Sequence, residues 1–421
     1  MKQIMKYIRK ILRILGVLLL GIIIGFIALC LVHLIPVEKM YQNVQASKAV
    51  INSFAEIVPG YKSTAVDDFT DSIMINEAIC QVEAPLIEKV INNYQVNYWK
   101  GYSQQENLLR YLDGETGYQY QGYSHYWGGH QVVLKPLLLF FDYSDILILN
   151  YILQTLLVVF IIVGFCRTGR EYAVLPFSVA VITLMPIATG VCLQFSTVFY
   201  VTMLGCLALI WNQNKRNRIY HEQIVLFLIL GMSTSYFDFL TYPFVSLGIP
   251  LIVAIMYADN KGWLQQIWTL AKNSVAWCIG YAGMWSGKWI LGSILSPDSG
   301  SMKVAIGSIK YRGSNLAEGL RLTVFDVTLK NMFVYLRRPT ILLILIPAVY
   351  FILKIIQKRK WEKSYLLYCI PYILLCAYPI AWYMITKNHS YEHAFMAYRE
   401  LAIATFSGLT MLAGWGNKKI K

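Results

Sequence analysis

The sequence predicts an all-α polytopic membrane protein of about ten transmembrane helices with a large first extracytoplasmic loop. Three observations lead there. Hydrophobic residues make up 57% of the 421 positions and charged residues 14%, against about 45–50% and 25% in an ordinary soluble domain. Apolar runs of roughly 20 residues recur along the whole length, each long enough to cross a hydrocarbon core about 30 Å thick. Most of the short turns assigned to one side are basic, as cytoplasmic turns are.

MKQIMKYIRKILR opens the chain with five basic residues and no acid, which places the N-terminus in the cytoplasm. The apolar run that follows is too long for a signal-peptide core and has no small-residue cleavage site behind it, so it reads as a retained anchor. Residues 1–35 therefore form the N-terminus and first span. Residues 36–145 contain no run long enough to cross and form the first extracytoplasmic loop. The bundle 146–295 returns near 146–166 to the basic turn CRTGR, then runs out over 172–190 and back over 195–211 to NQNKRNR. It rises again over 223–235 to SYFDFLTYP and descends over 242–257 to ADNKGW, the least basic of these turns. LQQIWTLAKN has the helical spacing of a segment lying along the inner surface, and 273–295 crosses outward.

A second outside segment, 296–339, carries Lys303, Lys310, Arg312, Arg321, Lys330, Arg337 and Arg338 against Asp298, Glu318 and Asp326. Its apolar residues, Val304, Ile306, Leu320, Val324 and Val327, suit helices in the outer interface. Its cations suit either anionic headgroups or a phosphate-binding wall. Residues 340–421 hold the last spans: 340–356 to QKRKWEK, 365–385 to TKNHSYEHAFMAYRE, and 401–415 to the basic tail GNKKIK, so both termini are cytoplasmic. The excess of 37 Lys and Arg over 23 Asp and Glu is thus read by location, and no nucleic-acid partner is expected. None of the eight cysteines forms a CxxC pair, which speaks against a disulfide framework or a zinc site.

Four constellations carry candidate chemistry. STAVDDFTDSIMINEA places Asp67, Asp68 and Asp71 within five residues. Asp67 and Asp71 share a helix face and Asp68 points elsewhere. The acids cap a helix, or one of Asp67 and Asp68 has a catalytic or metal-binding role. The stretch Tyr111 to Asp145 brings six tyrosines and SHYWGGH to a membrane entry. These are either an interfacial aromatic belt or, for His125, Tyr126, Trp127 and His130, rings with hydrogen-bonding tips that suit a sugar face. Asp238 in SYFDFLTYP is a boundary cap or a substrate contact at membrane depth. In KNHSYEHAFMAYRE, His389 and His393 share a helix face but lack a third zinc ligand. Together with Lys387 and Arg399 they suit an anion at the outer surface.

One span, a large external loop with Asp67-Asp68 near its start and a further bundle of spans resemble the GT-C class of integral membrane glycosyltransferases. The phrases YSHYWGGHQVVLKPLLLFFDYSD, SYFDFLTYP and NHSYEHAFMAYR are also similar to those of membrane proteins from Gram-positive bacteria. The GT-C resemblance implies a GT-C-like fold in the cell membrane and a polyprenyl-phosphate-sugar lipid as donor. The acceptor would be a hydroxyl of an envelope glycan, lipid or protein. It implies a catalytic acid in the first loop, here Asp67 or Asp68, with Asp71 the milder site to substitute. Lys310, Arg312, Arg337 and Arg338 are then the phosphate-binding cations, with His389 and Arg399 near. A strict D-x-D is missing; the resemblance demands no cofactor and leaves a divalent cation, Mg or Mn, open. Attack by a hydroxyl needs a base, and a phosphate leaving group needs cations rather than an acid. The rival reading is a flippase or transporter of lipid-linked glycans, or a polysaccharide polymerase. A carrier has no need of an acid-rich first loop, and no paired broken helices are visible.

Overall fold

The computed structural model describes residues 2–51, 53, 56–99, 101–214, 223–258, 262–357 and 363–417. The basic turn expected at 215–218, that at 358–363 apart from Lys363, positions 259–261 of ADNKGW and the tail beyond 417 lie outside these residues. The protein is all-α, 77% helical with almost no sheet. Among the described residues, five helical stretches are long and apolar enough to cross a membrane: Ile8–His33, Tyr143–Arg167, Leu193–Trp211, Arg338–Gln357 and Leu366–Ile385.

The first long helix, α1 (Lys2–His33), stops just ahead of Pro36, a residue that disfavours helix immediately before it. In the first loop α2 (Asp68–Ile79) begins at Asp67, whose carboxylate accepts the Thr70 N–H. This helix is no solvent-facing element, because every residue from Thr70 to Ile79 is buried. Around it lie the short helix Gln104–Leu112, opened by a Ser103–Glu106 capping box, and an antiparallel pair β1 (Gln95–Asn97) and β2 (Gln119–Gln121) in the register Gln95 to Gln121. α3 (Gln131–Phe140) then leads to α4 (Tyr143–Arg167), capped by Asp142. The first loop is thus a folded layer seated on the bundle.

The expected span 172–190 is broken. α5 (Val174–Thr183) ends before Met185, which takes a left-handed conformation ahead of Pro186 and a four-residue helix; the proline disfavours the α region at the residue before it. α6 (Leu193–Asn214), α7 (Gln223–Phe237) and α8 (Val245–Met256) follow. α9 (Trp263–Leu295) is a single helix of 33 residues that joins the expected surface segment LQQIWTLAKN to the crossing. It falls outside the five apolar stretches, since it carries Trp, Tyr, Gly and two Lys. α7 and α9 pack backbone to backbone. A Cβ at Gly231 would lie 2.1 Å from the Trp277 carbonyl oxygen, and one at Gly280 2.1 Å from that of Leu228, the small-residue contact that lets membrane helices approach.

The outside segment folds as α10 (Ser301–Arg312), a short β3–β4 pair (Leu316–Ala317 with Leu320–Arg321) and α11 (Val324–Tyr335). α12 (Arg338–Gln357) follows after Leu336 and Arg337. The expected span 365–385 is two helices, α13 (Lys363–Cys376) and α14 (Tyr378–Ile385). The break falls just ahead of Pro379, which has no N–H to continue the ladder. α15 (Leu401–Asn417) packs against α5, α12 and α13. Every apolar run expected to cross is helical, but ten crossings do not follow from length and hydropathy.

Candidate functional site

A cavity of about 320 Å³ opens against one face of α9. Trp277, Tyr281, Trp285 and Trp289 recur every fourth residue, and on a helix that spacing stacks them along one face. Their ring centroids lie 4.8, 5.2 and 5.7 Å apart in succession. The sequence reading did not single out this ladder, although W-x₃-Y-x₃-W-x₃-W was there to be read. α10 supplies Ala305, Ser308, Ile309 and Arg312 to the opposite wall, and α14 supplies Trp382 and Ile385.

The SHYWGGH segment closes one end. Gly128 has a φ of 72°, and a Cβ on it would meet the Asn93 side chain at 2.6 Å; one on Gly129 would meet the Tyr236 carbonyl oxygen at 2.4 Å. This pinched turn presents His125 and Tyr126 to the cavity, and the Trp289 indole donates to the His125 carbonyl at 3.1 Å. Arg312 donates to the Tyr126 hydroxyl, which donates in turn to the Phe239 carbonyl at 3.2 Å. Burial, with Arg312 and Lys288 adding to it, pushes His125 down to about 3. Arg312 is the only Lys or Arg among the described lining residues. Trp285 and Trp382 also line the cavity, and neither buried indole N–H has a hydrogen-bond partner among the described residues. Together these make an aromatic chamber with one fixed positive charge.

None of the clustered acids Asp67, Asp68 and Asp71 is among the described lining residues. Tyr123 is stacked on Tyr126 with centroids 5.6 Å apart, and the charges of Arg312, Glu77 and Asp67 all act on its buried phenol. Asp67 is buried and accepts from the Thr70 N–H and hydroxyl, both at 3.0 Å. Burial raises it to about 6, with those bonds and the Arg399 charge pulling the other way. Asp68 is half-buried and accepts from the Phe69 N–H at 2.9 Å. Asp71 is the most enclosed of the three. It accepts from the Leu193 and Gln194 N–H groups, both at 2.8 Å, and from the Tyr143 hydroxyl at 3.2 Å, so it caps α6 from across the fold. The sequence reading passed over Glu77, which lies 3.3 Å from His130 Nε2 in a fully enclosed pair joined by Gln131. An acid inside the apolar helical run IMINEAI was the signal for it.

The other expected site residues lie off the cavity lining. The Trp127 indole donates to the Met284 carbonyl at 2.7 Å and is absent from the cavity wall. His130 is held by Glu77 and Gln131. Asp238 caps its own turn, accepting from the Thr241 N–H at 3.0 Å and hydroxyl at 2.6 Å; burial raises it to about 7. His389 holds the Leu240 carbonyl at 2.6 Å, fixing a cavity-lining residue whose φ is 68°. His393 lies against His389 at 4.7 Å. Arg399 is fully buried, donates to the Leu184 and Phe395 carbonyls at 3.0 and 3.1 Å, and lies 4.1 Å from the Phe195 ring centroid. Lys387 is half-exposed, and Lys310, Arg337 and Arg338 are exposed away from the cavity lining. Of the four expected phosphate-binding cations, only Arg312 lines the cavity.

Among the described residues no group of three or more His, Cys, Asp or Glu side chains is arranged to hold a metal ion. No protein-family model, no curated protein and no solved structure matches the chain.

Proposed function

We propose that the protein is a multi-pass cell-membrane glycosyltransferase of GT-C type, with about ten spans and both termini in the cytoplasm. It transfers a sugar from a polyprenyl-phosphate-linked donor to a hydroxyl of an envelope glycan, lipid or protein on the extracytoplasmic side. The cavity carries this reading: a ladder of aromatic rings suits the apolar face of a sugar or a prenyl chain, and the single cation Arg312 suits the phosphate at its head.

In the proposed reaction an acceptor hydroxyl oxygen bonds to the anomeric carbon. The bond from that carbon to the phosphate oxygen breaks, and polyprenyl phosphate leaves with the electron pair. Asp67 or Asp68 takes the hydroxyl proton. Arg312 balances the charge that collects on the phosphate. Tyr126 orients the guanidinium.

The test is mass spectrometry of envelope glycans from cells expressing Arg312→Gln, at equal protein level, beside a deletion strain. Loss of a single sugar from an otherwise complete glycan in both supports the transferase. Loss of the whole glycan chain points to a lipid-linked glycan carrier instead, and an unchanged envelope removes the cavity from any such chemistry.

A further inference from the structure

Helix α11 has two apolar faces, and only one packs on the protein. Val327, Val334 and Tyr335 are buried with Asn331 against the segment 387–400 and its neighbours. On the other side Phe325, Leu329, Met332, Phe333 and Leu336 are 71%, 38%, 38%, 68% and 37% exposed. Their spacing of four, three, one and three residues is a continuous helical stripe. An apolar strip of this kind on a protein surface marks a partner.

The surroundings say which partner. α12 begins two residues beyond Leu336 and is one of the five helices apolar enough to cross. Its own apolar residues, such as Leu342, Leu345 and Ile346, are likewise exposed, so the stripe continues into a lipid-facing surface. Arg337 and Arg338 stand exposed at the junction, and Arg321 stands exposed ahead of the helix. Cations beside an apolar stripe complement the phosphates of an anionic leaflet. Lys330 is excluded from that role, since it is held over the Tyr391 ring at 3.5 Å and beside Glu318.

We infer that α11 is an interfacial membrane helix, its Phe325–Leu336 stripe seated among the acyl chains of the leaflet that α12 enters, with Arg321, Arg337 and Arg338 on anionic phospholipid headgroups. The seat fixes the depth of the neighbouring wall, because β3 and β4 tie α11 to α10, which carries Arg312. The inference does not depend on the reaction proposed above.

Spin labels test it on the full chain in vesicles of phosphatidylcholine alone or mixed with phosphatidylglycerol. Cysteines replace Phe325, Leu329, Phe333 and, as a water-exposed reference, Glu318, in a background carrying Cys166→Ser and Cys278→Ser. Labels at 325, 329 and 333 are expected to meet dissolved oxygen and be shielded from a water-soluble nickel chelate, with the opposite result at 318. Phosphatidylglycerol is expected to deepen the shielding, and Arg337→Gln with Arg338→Gln to abolish that gain. Labels on the stripe that meet nickel as freely as at 318 overturn the inference. Labels shielded from both reagents overturn it too, since a protein partner then covers the stripe. Equal shielding with and without phosphatidylglycerol removes the anionic headgroup from it.

Discussion

Asp67 and Asp68 are adjacent in sequence, but one is enclosed and the other half-exposed. Replacing the true base by Asn is expected to lower sugar transfer about 10²–10⁴-fold with membrane-inserted protein unchanged; wild-type rates in both variants remove the first loop from catalysis. If Asp67 is the base, it must be ionised, so transfer should rise with pH through about 6 and level off above. The same raised value acts on stability in the opposite direction. The folded protein holds that proton more tightly than the unfolded chain, so the contribution is present at acid pH and lost as pH climbs from the ordinary carboxylate range to about 6. Asp71 is a different case, because its contacts bear on stability rather than on transfer. Asp71→Asn turns an NH₂ toward one of two backbone N–H groups at the start of α6. A buried group left unsatisfied costs about 1–3 kcal/mol, which a melting curve in detergent will show. The helix start at Asp67 was legible because a cap is local. The Asp71 cap was not, since its partner Leu193 lies 122 residues away.

At the scale of elements, α9 and its contacts carry most of what can be tested. Trp285→Ala removes the middle of the ladder; a loss of about 1 kcal/mol should raise the donor KM about fivefold with kcat little changed. An unaltered KM would put the donor elsewhere. The glycines on α9 differ in what they face. Gly280→Ala drives a methyl group into the Leu228 carbonyl, whereas Gly283→Ala meets only the Leu18 side-chain tip, which can move. The first variant should melt well below wild type and the second close to it; equal melting would mean that the α7–α9 backbone contact is dispensable. Apolar runs announced these helices, and the prolines after Met185 and Tyr378 could have announced the breaks. What hid them was the length of the apolar run on either side, which reads as one crossing when only hydropathy is followed.

Across the whole molecule, the order of long apolar helices was legible because each is set by its own residues. The interior of the first loop was not, because it is assembled from distant partners: the Tyr398 hydroxyl holds the Ser63 carbonyl across 335 positions. Sidedness can be tested with thiols. Cys80 is buried, and burial raises its thiol to about 12, so it is a poor reporter. Exposed Glu83→Cys in the first loop should react with an impermeant maleimide in intact cells, while exposed Cys166 should react only after permeabilisation. The reverse pattern would invert the topology.

The length of α9 has a mechanical consequence. At 33 residues it is a rod of about 50 Å, well beyond the roughly 30 Å of hydrocarbon. It carries the aromatic ladder from its middle, at Trp277, to Trp289 near one end, and reaches Trp263 at the other. With such a lever, a tilt of about 5° moves the far tip by about 4 Å, close to the width of a ring. A helix too long for its bilayer tilts as the bilayer thins. On the proposed reading that α9 crosses the bilayer, lipid acyl length would set its tilt, and α7, locked to it at Gly231 and Gly280, would tilt with it.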